Sequence, residues 1–262
     1  MKKRKILASI LITNFNKDRF IRRSLKSCLN QSLIKKIEVL VFDDCSNDNS
    51  RKILEEYRNK VHIIKNRVKK YSSGPLNQIF GILKLFKKAK GDVIFLLDSD
   101  DCFNKKKVSL ILDHFKKNSK LNFIQDRLYF SKEKKIIKLK NKRHTYSIWP
   151  SFYPTSCIAV KKKFFSNFCK NLEDKKFPNL EIDARLCIFA FLTKSFAVFQ
   201  KNLTIYNFDE SGITSKYKKF TINWWKKRGE AYEYMQILMK KFKKRFNPGP
   251  DYYLTKLINF FI

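Results

Sequence analysis

The stretch Gly91–Asp101, GDVIFLLDSDD, sets five consecutive apolar residues directly before three aspartates in four positions. A continuous apolar run of this length reads as a strand buried on both faces, and its acidic end marks where the chain leaves the sheet. Asp43 and Asp44 likewise follow the strand Glu38–Phe42. Capping of the next helix accounts for one aspartate after a strand, but not for three in four positions. Open α/β sheets bind ligands along the carboxyl ends of their strands. The two acidic groups, distant in the chain, are therefore expected to converge on one cleft. Clustered carboxylates repel unless a cation neutralises them, and hard oxygen ligands suit Mg2+ or Mn2+.

Around these two strands the first 120 residues alternate short apolar runs with amphipathic stretches, as βαβ units of a mostly parallel sheet do. Ile6–Thr13 reads as the first strand and Asp18–Gln31 as a helix with Ile21, Leu25 and Cys28 on one face. A helix capped by Ser46 or Asn47, a strand at Val61–Ile64 and a helix at Leu76–Ala89 follow. From Asn122 to Leu139 two β-like segments flank the charged turn Lys132–Lys135, and the aromatic loop Trp149–Thr155 leads into a strand at Cys157–Val160. Helices at Lys161–Phe168 and Ile182–Leu192 and strands near Phe196 and Ile205 complete the pattern. Phe220–Phe246 is a long, basic, aromatic helix stopped by Pro248, Gly249 and Pro250, with an apolar tail at Tyr252–Ile262. Packing on its own domain, docking on a membrane surface and a dimer contact are all open to it.

Composition narrows the classes. The 262 residues carry 44% apolar side chains, including 25 Phe, which excludes disorder and a small disulfide scaffold. No run of 18 apolar residues occurs, so no simple membrane-spanning helix is expected. Met1–Asn14 imitates a signal peptide, but it lacks a cleavage site and reads better as a buried strand. Cys28, Cys45, Cys102, Cys157, Cys169 and Cys187 form no CxxC pair and are expected as reduced thiols, and three scattered His indicate no zinc site. A formal net charge of +35 favours polyanions such as a diphosphate ligand or an anionic membrane. With 46 Lys to 12 Arg it also matches AT-rich codon usage, and no nucleic-acid motif accompanies it, so no specific nucleic-acid partner is expected.

In order along the chain, SILITNFN at Ser9–Asn16, IEVLVFDDCSND at Ile37–Asp48 and GDVIFLLDSDD at Gly91–Asp101 resemble the motifs of the family 2 glycosyltransferases of GT-A fold. A lone D-x-D is weak, but this one ends an apolar strand about fifty residues after paired aspartates. The resemblance implies an α/β, Rossmann-like, mostly parallel sheet flanked by helices. A GT-A domain over 1–215 is expected, with a nucleotide-sugar and metal half at 1–120 and an acceptor half at 121–215. The basic aromatic helices of 216–262 form a C-terminal extension. It further implies Asp100 and Asp98 as metal ligands for Mn2+ or Mg2+, with Asp98 alternatively on the ribose and Asp101 assisting. Thr13, Asn16, Asp43, Asp44 and Asn77 would line the nucleotide pocket.

LEIDAR at Leu180–Arg185 resembles the family's acidic motif beneath the acceptor, which points to Asp183 as catalytic base with Glu181 as rival. The two acids are separated here rather than adjacent, and a structural Asp183–Arg185 pair is the alternative. Relatives carry Arg-Asn at the third helix where this chain has Leu76 and Asn77. They also carry a His three residues after a late Tyr, where Tyr206 is followed by Asp209, itself able to ligate a cation. The resemblance thus implies an inverting, metal-dependent transfer from a nucleotide sugar, a UDP-sugar first, to a glycan or lipid-linked acceptor in cell-surface glycan assembly. A cytoplasmic, peripheral location, an anionic membrane surface and a homodimer are the further expectations. A nucleotidyltransferase is the rival enzyme, although ITNFNKD holds no glycine for a phosphate loop. A basic nucleic-acid- or membrane-binding protein with capping aspartates is the rival from another class.

Overall fold

The computed structural model describes residues 5–130, 153–207, 209 and 212–262. Its strands are β1 (Ala8–Asn14), β2 (Ile37–Asp44), β3 (His62–Asn66), β4 (Val93–Asp98), β5 (Cys102–Phe103), β6 (Phe123–Phe130), β7 (Ile158–Lys161) and β8 (Phe196–Tyr206). Its helices are α1 (Asp18–Leu29), α2 (Ser50–Glu56), α3 (Gly74–Phe86), α4 (Lys107–Lys117), α5 (Lys162–Lys170), α6 (Ile182–Leu192), α7 (Ile222–Lys241) and α8 (Pro250–Phe261). One sheet takes the order β3-β2-β1-β4-β7-β6-β8-β5. The first four strands are parallel, β7 reverses between β4 and β6, and β6 and β8 run parallel.

Successive strand residues face opposite sides, so each inner strand feeds two cores. In β1, Ile10 and Ile12 pack with Ile21 and Leu25 of α1 and Val108 of α4. Leu11 packs on the other face with Ile79 and Ile82 of α3 and Leu186 of α6. The all-apolar β4 is buried on both faces, as its sequence requires. After Asp183 and Arg185 near its start, helix α6 is apolar on all sides because it lies between that second core and α7.

Several elements differ from the sequence pattern. Neither Ser46 nor Asn47 caps α2; the helix starts at Ser50, and the Asp48 carboxylate accepts the Ser50 N–H at 2.9 Å. The segments near Phe196 and Ile205 form one strand, β8, whose register against β6 shifts around Arg127. The basic helix runs only from Ile222 to Lys241, its N-terminus capped by Thr221, and the apolar tail is the helix α8 begun by Pro250. Of the three destinations open to the basic helix, packing on its own domain is observed, with Ala231, Tyr232, Tyr234 and Leu238 in the core. Helix α4 and the two-residue β5 have no counterpart in the sequence reading. The second arm of the Asn122–Leu139 pair and most of the Trp149–Thr155 loop lie outside the described residues. The six cysteines are free thiols, Cys45 and Cys169 half-buried and the other four buried.

One polar knot ties α4 to the sheet. The fully buried Lys107 ammonium meets Asp126 of β6 at 2.6 Å and donates to the Ser156 carbonyl and Thr204 hydroxyl, each at 2.7 Å. Thr204 in turn donates to Asp126 at 2.7 Å, so both ions are hydrogen-bonded. Removing one partner of such a pair leaves an uncompensated buried charge and costs about 3–5 kcal/mol, whereas an apolar replacement of both is close to neutral. Urea unfolding of Lys107→Ala is expected to show a loss of about that size, which Lys107→Met/Asp126→Leu largely restores.

Candidate active site

Because β1, β2 and β4 are parallel and in register, Thr13 stands between Phe42 and Asp98, and Asn14 stands beside Asp43. The turn after β1 uses left-handed backbone at Asn16 (φ 49°), which Asn tolerates better than most residues. Cys45, φ 61°, turns the chain after β2. The Ser46 hydroxyl then accepts from Asn14 Nδ2 at 3.2 Å and from the Asn16 N–H at 3.0 Å, stitching the two strand ends together.

These ends open onto a cleft of about 440 Å3, within the range of small-molecule sites. Of the residues singled out in the sequence, Thr13, Asn16, Asp44, Asn77, Asp98, Asp100, Glu181, Asp183 and Asp209 line it. Asp43 does not. Its carboxylate is buried behind the strand ends, accepting from Asn14 Nδ2 at 2.9 Å and Arg51 Nε at 3.0 Å. Asn77 faces the cleft while its amide holds the backbone of Tyr71, donating at 2.7 Å and accepting at 3.0 Å. Asp44 accepts from Asn66 at 3.0 Å.

The electrostatics of the cleft are set by half-buried carboxylates. Burial, then Asp100 and Asp183, push the Asp98 carboxyl up to about 8, although Gln78 donates to it at 2.8 Å. Asp101 is fully buried, accepts the Asn207 N–H at 2.8 Å, and is raised well above the carboxylate range by burial and its acidic neighbours. The Lys17 ammonium lies between Asp100, at 3.0 Å, and Asp209. Burial opposes its charge, but the two carboxylates outweigh burial and hold the ammonium above its ordinary value. Among the described residues no three His, Cys, Asp or Glu are gathered as placed to hold a metal ion. The donor set still fits a hard divalent cation, since Asp98 at the end of β4, Asp100 in the turn after it and Asp209 after β8 are oxygen donors and two already share one positive charge.

Across the cleft, Glu181 and Asp183 open α6. Glu181 is held by Lys227 of α7 at 2.5 Å. The Asp183 carboxylate accepts the N–H of Ala184 at 2.7 Å, and burial with the Glu181 charge pushes its carboxyl up to about 7. The alternative Asp183–Arg185 pair is not formed. The Arg185 guanidinium is buried, donates to the carbonyls of Leu172, Glu173, Lys176, Phe177 and Leu180, and lies 5.7 Å from the rings of Phe177 and Tyr234. Asn14, Lys17, Gln78 and Lys227 are the cleft-shaping residues that sequence reasoning missed. Asn14 was reachable from the parallel register, whereas one lysine among 46 carried no signal.

Residues 9–180 match the family Glycosyl transferase family 2. The chain is 28% identical over 181 residues, 64% of its length, to the poly(ribitol-phosphate) beta-N-acetylglucosaminyltransferase TarS of Staphylococcus aureus. It is 32% identical over 129 residues, 48% of its length, to the minor teichoic acid biosynthesis protein GgaA of Bacillus subtilis. Those matches span only 31% and 28% of the two relatives. In structure it resembles S. aureus TarS 1–349 in complex with UDP-GlcNAc, with a TM-score of 0.66 at 19% identity over 87% of this chain and 66% of that one. The mannosyltransferase PcManGT from Pyrobaculum calidifontis, in complex with GDP-Man and Mn2+, gives 0.59 at 11% identity over 96% and 68%. The fold is thus that of the GT-A glycosyltransferases. The family match, which favours a glycosyltransferase over both rival readings, takes in the β1, β2 and β4 ends and stops one residue before Glu181. The chain belongs to glycosyl transferase family 2.

Proposed function

We propose that this chain is an inverting, metal-dependent glycosyltransferase that moves a sugar from a UDP-sugar to a hydroxyl of a cell-surface glycan. The observation that carries the reading is one cleft lined both by the acidic ends of β4 and β8 and by Asp183 at the start of α6. UDP-GlcNAc in the TarS complex favours a uridine donor. The names of TarS and GgaA favour a teichoic acid type of polymer, and a +35 chain suits such a phosphate-bearing acceptor.

In this reading Thr13, Asn16 and Asp44 contact the nucleoside, while Asp43 holds the β1 end through Asn14 as a positioning residue. Asp98, Asp100 and Asp209 would hold Mn2+ or Mg2+, which when bound neutralises the charge growing on the departing diphosphate and is worth several kcal/mol in the transition state. Asp183 in its ionised form takes the acceptor proton as the hydroxyl oxygen attacks the anomeric carbon opposite the leaving group. A carboxyl at about 7 is well matched to that task near neutral pH. Glu181 is already ion-paired with Lys227, which leaves Asp183 the carboxylate available to the acceptor.

Screening nucleotide sugars for manganese-dependent thermal stabilisation tests the donor directly, because a ligand of the native state alone raises apparent stability. Asp100→Ala is expected to lose most of the metal-dependent affinity for UDP in calorimetry; full affinity in EDTA would count against the metal. Asp183→Asn should lower turnover roughly 10²- to 10⁴-fold with UDP binding intact, and Glu181→Gln should cost far less. Since only ionised Asp183 accepts a proton, wild-type turnover should rise as pH increases through about 7 and then level. A flat profile across that range, or a fully active Asp183→Asn, removes Asp183 from the role. Lys17 and a divalent cation compete for Asp100 and Asp209, so Lys17→Met is expected to tighten Mn2+ binding about tenfold by titration. Unchanged or weaker Mn2+ binding contradicts that competition.

A further inference from the structure

Away from the cleft, exposed apolar side chains gather on the last two helices. Helix α8 lies antiparallel to α7, held by Arg228 and Tyr232 on Asp251 and by Asn259 Nδ2 donating to the Trp225 carbonyl at 2.9 Å. Asp251, Thr255 and Asn259 recur every four residues and spend one face of α8 on α7. The opposite face carries Tyr253, Leu254, Leu257, Phe260 and Phe261, all exposed, with Phe260 at 82% and Phe261 at 74%. Because Asn259 meets Trp225, the end of α8 lies beside the start of α7, near exposed Phe220 (74%) and Ile222. Exposed apolar side chains gathered in this way in water mark an interaction site.

Charge selects the occupant. From Gly212 to Ile262 there are twelve Lys and Arg against three Asp and Glu. Of those acids Asp251 is engaged by Arg228, Glu230 accepts from Asn179 at 2.7 Å, and exposed Glu233 shares a groove with Tyr253, Leu257, Phe260 and Lys256. Exposed Lys218, Lys219, Lys226 and Lys256 interleave with the apolar residues. A second copy would bring another +35 chain against this face, which self-repulsion disfavours. No helix among the described residues is long and apolar enough to cross a membrane. An apolar stripe rimmed by lysines is what an interfacial helix offers to anionic lipid.

We infer that the outer face of α8, with Phe220 and Ile222, docks on an anionic lipid bilayer. The position serves the acceptor side of the cleft, a consequence that rests on the proposed function. Lys216 lines the cleft, Lys227 holds Glu181, and Tyr217 donates to Asn179 at 3.2 Å, so the docking face begins a few residues from that wall. An acceptor carried on the membrane would thus be delivered to Asp183 from the docked side.

The test is co-sedimentation of the full chain with vesicles of phosphatidylglycerol or of phosphatidylcholine, at low and high salt. Wild type is expected to bind the anionic vesicles at least about tenfold better than the neutral ones, and less well as salt rises. Leu257→Ser/Phe260→Ser/Phe261→Ser should lose about tenfold or more, and Lys218→Gln/Lys219→Gln/Lys226→Gln/Lys256→Gln should weaken binding as well. No binding by wild type, or undiminished binding by the serine variant, overturns the inference. So does a lipid-independent dimer in sedimentation velocity that the serine variant abolishes. UDP binding, followed in parallel, is expected to be unchanged in both variants; its absence from wild type would instead sink the proposed function.

Discussion

Carboxylates placed together out of water repel, and much of the site can be understood as the management of that repulsion. Asp98, Asp100, Asp183 and Asp209 line one cleft, with Asp101 just beneath. Three physical devices offset the cost. Lys17 supplies a full positive charge between two of them; Gln78 and the backbone N–H of Asn207 donate to Asp98 and Asp101; and burial keeps part of the charge protonated. The parallel register of β1, β2 and β4 makes the crowding unavoidable, because it brings their ends to one edge.

Support comes from two buried cations that never reach the cleft. Lys107 ties α4, β6 and β8 to the Ser156 turn, and the Ser156 hydroxyl accepts the Asp98 N–H at 3.0 Å. Arg185 gathers five carbonyls of the irregular segment before α6, where hydrogen bonds from a regular ladder are missing. Its planar fork suits that many acceptors better than a lysine would. Each cation therefore fixes one wall of the cleft from behind.

Much of the first half of the chain was legible because its signals are local. An apolar run such as Val93–Leu97 has few alternatives, and the aspartates after it fall at a strand end by simple continuation. Asp183 and Glu181 were reached through the resemblance of LEIDAR to the family's acidic motif, not through any local pattern. What could not be read depended on distant partners. Nothing near Asp43 shows that Asn14 and Arg51 draw it behind the cleft. The abundance of lysine hid Lys17 and Lys227, whose roles come from what they touch. Strand β5 is two residues long and exists only because β8 pairs with it.

That last pairing has a consequence in time. Cys102 of β5 meets Ile205 of β8, and Asp101 meets the backbone of Asn207, so the acidic turn waits for partners about a hundred residues downstream. At roughly 5–20 residues per second, synthesis separates the two by about 5–20 s. Strands β1 to β4 need nothing beyond Asp98 to pair with one another, and Lys17 is already made when Asp100 emerges. A counter-ion for Asp100 is thus in hand before β8 and Asn207 are made.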